Sequence, residues 1–399
     1  MPKRSSRCGA AARICALALA LFSIVIAFPA AAQAPLPQKL GAYKVDPNAI
    51  SVSGISSGGY MANQVHVAYS AHLIGAGIIA GGPFRCAEAG PFLTVKNATL
   101  MCSATPVFVE APKLEDLIRL TDQAGSDKRI DEPTNLCKSR IFLLTSEGDT
   151  KVPKPIVDVL NSYYRHYTLE GCPNSSPGVS DRIRYQVLGQ DIPHAFVTDD
   201  FGKACAALAK DENKIPFICK APFDTAKAIL ETIYGPLQPK TQPVPANLIA
   251  FDQTEFIQRA DSPPEDSMNA RGHIYVPSSC ANQTCRLHIA FHGCLQSEQT
   301  SGDAFYAHAG YNEWAESNGI IVLYPQAKAF DSGNPDGCWD FWGYNGPDWW
   351  WGYDDPVSSC DTPLRAGPQM WAIRRMINRV AGAVIPDRLS SPEGPTCAR

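Results

Sequence analysis

The sequence predicts an α/β fold, a single domain built on a mostly parallel sheet. Three observations predict it. Short apolar runs alternate with helical stretches from Gly41 to Tyr234, a Gly-x-Ser-x-Gly turn joins one such run to a helix, and the alternation resumes beyond a proline-rich break. Ile50 to Ser53 reads as a strand running into that turn, with a helix from Tyr60 to Tyr69 behind it. Ile74 to Ala80 and Arg140 to Thr145 read as further buried strands, the second leading through Glu147-Gly148-Asp149 into a helix from Lys154 to Tyr167. Arg184 to Leu188 is a fourth strand, followed by Asp191-Ile192-Pro193-His194. Pro236, Pro239, Pro243 and Pro245 crowd the next stretch, which excludes helix or central strand and marks residues 236–247 as a linker. Beyond it come strands at His273 to Val276, Leu287 to Phe291 and Ile320 to Tyr324, a Cys280 to Cys285 turn, and helices at Ala304 to Ser317 and Met370 to Val380. Nothing sets this second half apart as a separate domain.

The 399 residues carry 35 basic and 39 acidic side chains, a net charge of −4. With no clustered positive excess to hold a phosphate backbone, no nucleic-acid partner is expected. The amino terminus has the form of a secretory signal: Lys3, Arg4 and Arg7, an apolar run from Ala16 to Phe28, then Ala30, Ala31 and Ala32. Cleavage is expected near Ala32, leaving residues 33–399. The run of about 13 residues falls short of the roughly 20 that span a bilayer, so no membrane anchor is expected after cleavage. Cys8 and Cys15 leave with the signal, and twelve of the 14 cysteines remain. An even set in an exported chain implies up to six disulfides. Zinc ligation fits poorly, because no pair has the C-x-x-C spacing of structural zinc sites.

Gly54-Ile55-Ser56-Ser57-Gly58, between strand and helix, has the form of a nucleophile elbow, a turn so sharp that its flanking positions must lack side chains. It would expose the Ser56 hydroxyl above the sheet and leave the Ser57 amide free to donate. The pentapeptide alone is common; its placement carries the reading. A serine hydroxyl needs a base and a group that orients the base. Asp149 and His194, each just past a strand end, supply acid and histidine in the order this turn requires. Asp191 and Glu147 compete for the acid position, and the other histidines fall in helices or strand-like runs where structural roles are expected. His288 and His292, four apart, would be roughly 13 Å apart in a strand and form no metal pair. No metal or organic cofactor is expected.

A second oxyanion amide normally comes from a strand ending in His-Gly that precedes the nucleophile in the chain. Here nothing upstream of Ser56 qualifies, and the match is downstream: Leu287 to Phe291, then His292-Gly293-Cys294. If an ordinary chain were cut before the nucleophile strand and its old ends joined, it would run from elbow through acid and histidine, cross a linker and finish on the oxyanion strand. This sequence does so. The expected fold is therefore a circularly permuted α/β hydrolase.

Several motifs together carry a family resemblance: the elbow Ser53-Gly54-Ile55-Ser56-Ser57-Gly58-Gly59-Tyr60-Met61, Pro193-His194-Ala195-Phe196, Leu287-x-x-x-x-His292-Gly293-Cys294-Leu295-Gln296 and Gly337-Cys338-Trp339-Asp340. They resemble the short-chain polyhydroxyalkanoate (polyhydroxybutyrate) depolymerases, in particular the permuted catalytic domain called type 2. The resemblance implies Ser56 as nucleophile, Asp149 and His194 as its partners, the Ser57 and Cys294 amides as oxyanion hole, and a Cys294–Cys338 disulfide beside them. A Cys280–Cys285 disulfide is expected as well. The implied substrate is a polyester or hydroxyalkanoate oligomer; the signal and cysteines lead us to expect a secreted protein, extracellular or periplasmic, and a monomer. Many family members carry a separate substrate-binding domain after the catalytic one. None is found here, which favours amorphous polymer or soluble oligomer over crystalline polymer.

Eight aromatic residues lie between Trp339 and Tyr353 among turn-forming residues. They serve either as core or as an apolar cleft, and Trp339, Trp342 and Tyr60 are expected to line it. Other hydrolases remain open on this reading: a feruloyl or acetyl-xylan esterase, or an oxidised polyvinyl-alcohol hydrolase. Outside enzymes, a polymer-binding protein would use the same aromatic loop.

Overall fold

Eight strands form the central sheet, in the spatial order β4-β3-β2-β1-β10-β11-β9-β8. In chain order they are β1 (Val45–Ile55), β2 (Gly75–Ile79), β3 (Arg140–Ser146), β4 (Ile183–Leu188), β8 (Leu248–Asp252), β9 (Arg271–Tyr275), β10 (Cys285–Phe291) and β11 (Ile320–Tyr324). A small sheet of β5 (Phe196–Thr198), β6 (Lys203–Ala204) and β7 (Ile218–Lys220) stands apart from it. The computed structural model describes residues 37–103, 110–170, 172, 182–211, 213–257, 268–330, 333–353 and 366–386. The predicted signal, Cys360 and Cys397 lie outside the described residues.

Only β9 runs against its neighbours, pairing antiparallel with both β11 and β8, so the sheet is mostly parallel as expected. β2 and β11 are covered on both faces and read as unbroken apolar runs instead of alternating ones. The glycines of β2 allow close cover: a Cβ on Gly77 would lie 2.7 Å from Ile229, on the helix Thr225–Tyr234.

Counting cyclically from β8 through β11 and then from β1 through β4, the sheet order becomes 1-2-4-3-5-6-7-8, with the second strand antiparallel. That is the strand order of an ordinary α/β hydrolase. The chain is a circular permutation of it, with the break before β1. The segment from Gly235 to Val244 contains no helix or strand, yet it is firmly attached. Lys240 Nζ reaches Asp199 at 2.7 Å, and the Thr241 and Val244 N–H groups donate to the Glu313 carbonyl and the Tyr275 hydroxyl.

Some elements differ from expectation. β8 follows the prolines directly and was not expected as a strand. Helices α2 (Thr94–Leu100) and α3 (Leu114–Ser126) were not foreseen, nor was Thr225–Tyr234. The helix expected over Ala304 to Ser317 is two, Ala304–His308 and Tyr311–Asn318, because Gly310 breaks it with φ +85°. Five disulfides join described residues: Cys86–Cys102, Cys137–Cys172, Cys205–Cys219, Cys280–Cys285 and Cys294–Cys338.

Candidate active site

The parallel strands end on one edge of the sheet, and every expected catalytic side chain leaves the chain just past such an end. β1 stops at Ile55, and helix α1 (Ser57–Ala68) starts two residues on. Ser56 between them has φ 56° and ψ −126°, a conformation that costs a non-glycine residue about 1–3 kcal/mol. Its own backbone holds it there, the N–H donating to Ile79 and the carbonyl accepting from Tyr60. A Cβ on Gly54 would stand 2.2 Å from the Gly58 carbonyl oxygen, and one on Gly58 2.2 Å from that of His292. The two glycines are thus required by backbone contact.

The second contact brings the other half of the chain to the elbow. Gly54 pairs with Phe291 at the end of β10, so His292-Gly293-Cys294 emerges beside Ser56, and a Cβ on Gly293 would lie 3.2 Å from Ser56 Cβ. In this tight loop the Gly293 N–H donates to Gln296 Oε1 at 2.6 Å and the Leu295 N–H to the Asp336 carbonyl at 2.7 Å. The Cys294 N–H has no acceptor among the described residues, and neither has the Ser57 N–H in the first turn of α1. Two free donors face the same cleft, one of them at the positive end of a helix. The Cys294–Cys338 disulfide ties this loop to the aromatic segment.

Asp149 and His194 meet across the ends of β3 and β4. His194 Nδ1 lies 2.8 Å from Asp149 Oδ2, and Asp149 Oδ1 accepts the N–H groups of Lys151 and Val152 at 2.8 and 2.9 Å. Both side chains are buried, whereas Asp191 and Glu147, the rival acids, are exposed. His194 also meets Phe217 edge-on, and it lines the cleft together with Ser56.

Three other buried histidines have both ring nitrogens engaged. His288 bonds Ser51 and Ser53, and Tyr234 O–H donates onward to the Leu287 carbonyl. His66 bonds Tyr164 and Ser139. His292 Nδ1 lies 2.7 Å from the Gly293 carbonyl, while Nε2 accepts the Ala327 N–H. Burial lowers all three, His66 and His288 to about 3 and His292 to about 4, so they are neutral struts.

A cleft of about 520 Å³ opens over Ser56. Tyr60 and Trp342 line it, as expected, and the Tyr60 ring stacks on Phe341 at 4.2 Å while its hydroxyl donates to the Cys102 carbonyl. Trp339 is a correction. It has no exposed surface and packs between Phe291 and His292, in the core under the His292-Gly293-Cys294 loop. Trp349, Trp350 and Tyr353 are likewise buried, so most of the aromatic stretch is core. Asp340 is buried too. Its carboxylate accepts the N–H groups of Trp342, Gly343, Tyr344 and Asn345, fixing the turn that presents Trp342.

Cleft residues missed in the sequence are Phe217, Phe341 and Lys151, with Val95 and Ala98 from α2. Only Phe341, inside the aromatic stretch, carried a local signal.

Sheet order, elbow and the Asp149–His194 pair define an α/β hydrolase in circularly permuted form. No protein-family model matches the chain. It is 33% identical over 321 residues to a polyhydroxybutyrate depolymerase of Talaromyces funiculosus, covering 77% of this chain and 86% of that one. It is 35% identical over 364 residues to a poly(3-hydroxybutyrate) depolymerase of Delftia acidovorans, covering 88% of this chain but 64% of the relative's length. Two solved structures resemble it with TM-scores of 0.70 and 0.69, each at 29% identity over 87% of this chain and 99% of the other. One is a PHB depolymerase complexed with an R3HB trimer, the other the PHB depolymerase of Penicillium funiculosum. The chain belongs to the polyhydroxybutyrate depolymerase family.

Proposed function

We propose that this protein is a secreted serine esterase that hydrolyses poly(3-hydroxybutyrate)-type polyesters or their oligomers to short 3-hydroxy acids. The observation that carries the reading is the Asp149–His194 hydrogen bond of 2.8 Å beside an elbow serine, in a cleft bounded by the free Ser57 and Cys294 N–H groups. Ser56 Oγ attacks the ester carbonyl while His194 takes its proton, and Asp149 holds the imidazole and stabilises its charged form. The Ser57 and Cys294 amides bind the oxyanion. Collapse of that intermediate breaks the ester C–O bond, and His194 returns the proton to the leaving alcohol. Water, deprotonated by His194, then cleaves the acyl-enzyme. The chemistry calls for no cofactor.

The apolar lining suits an uncharged polyester, and Val95, Leu93 and Phe92 extend apolar surface outward from the cleft, Leu93 being 79% exposed. The disulfides fit an oxidising compartment, and no described helix is long and apolar enough to cross a membrane. On this reading residues 1–32 are cleaved, residues 33–399 act as one catalytic domain around the 236–247 linker, and the enzyme is a monomer.

The test is clearing of a poly(3-hydroxybutyrate) emulsion, run beside p-nitrophenyl butyrate and methyl ferulate. Clearing is expected. Cleavage of the small esters without clearing or oligomer hydrolysis would favour a carbohydrate-type or polyvinyl-alcohol esterase, and polymer binding without any cleavage a binding protein. Ser56→Ala should lower kcat by several orders of magnitude with unchanged melting.

A further inference from the structure

We propose that Lys151 forms a carboxylate subsite on the leaving-group side of the cleft and binds the free carboxyl end of a hydroxyalkanoate oligomer. The inference rests on the esterase reading above and adds an end preference to it. The polarity of the polyester is the first argument. Attack on a chain carbonyl leaves the hydroxyl-end fragment on Ser56 and releases the rest as an alcohol, which His194 must protonate. The fragment lying on the His194 side is therefore always the one that ends in a carboxylate.

Lys151 lies on that side. It follows Asp149 by two residues, and its N–H donates to Asp149 Oδ1 at 2.8 Å, while Asp149 Oδ2 holds His194. Its side chain is exposed and lines the same cleft as Ser56 and His194. Among the described residues its ammonium has no hydrogen bond or ion pair, in contrast to neighbouring Lys154, which reaches Asp158 at 2.8 Å. Asp336, whose residue also lines the cleft, sits beside Cys294, its backbone carbonyl accepting the Leu295 N–H. An ester repeat in mid-polymer offers an ammonium no charge. The terminal carboxylate does, and pairing there seats the last ester bond over Ser56 and releases one hydroxy acid per turnover.

The experiment compares the (R)-3-hydroxybutyrate trimer as free acid with its methyl ester. At low ionic strength, kcat/KM should favour the acid by up to about fivefold, the upper end for an exposed ion pair, and 0.5 M salt should compress the ratio. Lys151→Arg should keep the ratio, Lys151→Met bring it to one, and Lys151→Glu invert it. The same ratio is read as binding on Ser56→Ala and on Ser56→Ala/Lys151→Met by calorimetry. If wild type cleaves neither trimer, the esterase reading falls while the binding ratio still tests Lys151. An acid-to-ester ratio that is unchanged in Lys151→Met, in either measurement, overturns the subsite.

Discussion

The side-chain oxygen of Gln296 holds the Gly293 N–H at 2.6 Å while its amide nitrogen donates to the carbonyls of Pro216 and Phe217 at 2.8 and 3.1 Å. Gln296 thereby joins two parts of the site that the permuted chain keeps far apart in sequence. One is the loop that presents the Cys294 amide. The other is the segment whose Phe217 ring meets His194 and whose Phe217 carbonyl accepts the Phe196 N–H two residues after it.

Gln296→Leu should therefore lower kcat on p-nitrophenyl butyrate by about 10- to 100-fold with KM little changed, because a misplaced oxyanion donor is felt in the transition state. Gln296→Glu keeps the acceptor for Gly293 but loses both donors, and should fall between wild type and Leu. Steady-state kinetics with a melting curve for each variant separates this from unfolding. An equal rise in KM with kcat intact would contradict it.

Gly58→Ala is expected to be among the most damaging single methyl additions. Its Cβ would meet the His292 and Phe291 carbonyl oxygens at 2.2 and 2.4 Å, and backbone cannot move aside as a flexible side chain can. A loss of about 2–4 kcal/mol in urea unfolding is expected, together with loss of activity. The neighbouring Gly59 has its nearest contact at 3.1 Å, so Gly59→Ala should cost less.

Acid should destabilise the fold below about pH 6.5. His66, His288 and His292 ionise near 6.5 when unfolded but are lowered by burial in the folded protein, so the unfolded chain binds their protons first. Their stabilising contribution is present above pH 6.5 and is lost as pH falls toward the folded values. Asp340 works the other way. Burial, partly opposed by its four backbone N–H donors, raises it from 3.8 to about 6, so its contribution is present below 3.8 and lost as pH rises through 6. Near pH 5 the four groups leave the unfolded chain ahead by about two protons, a slope of about 3 kcal/mol per pH unit. Chemical denaturation between pH 6.5 and 5 measures it, and His66→Gln should reduce the slope by about one proton.

Leu93→Ser and Phe92→Ser should weaken adsorption to polyester film, with kcat/KM for p-nitrophenyl butyrate within twofold of wild type. Both residues are exposed apolar groups outside the cleft, next to Val95, which does line it. Equal loss on film and on the soluble ester would place these residues at the reacting centre instead.

The sequence by itself determined the elements whose reasons are local. The elbow is legible because two backbone contacts admit only glycine at positions 54 and 58, and the permutation because β10 and its His-Gly end could be recognised after the linker instead of before Ser56. Asp149 and His194 were legible as polar residues just past apolar strands. What only the tertiary structure decided depends on neighbours remote in sequence. Trp339 and Trp342 are three residues apart in the same aromatic stretch, yet one is core under Phe291 and the other faces the cleft. Choosing Asp149 over Glu147 required the 2.8 Å contact with His194, and Gln296 and Phe217 entered the site through hydrogen bonds and packing that cross the fold. Spacing along a chain sets which face a side chain can take; which partner meets it there is set by packing.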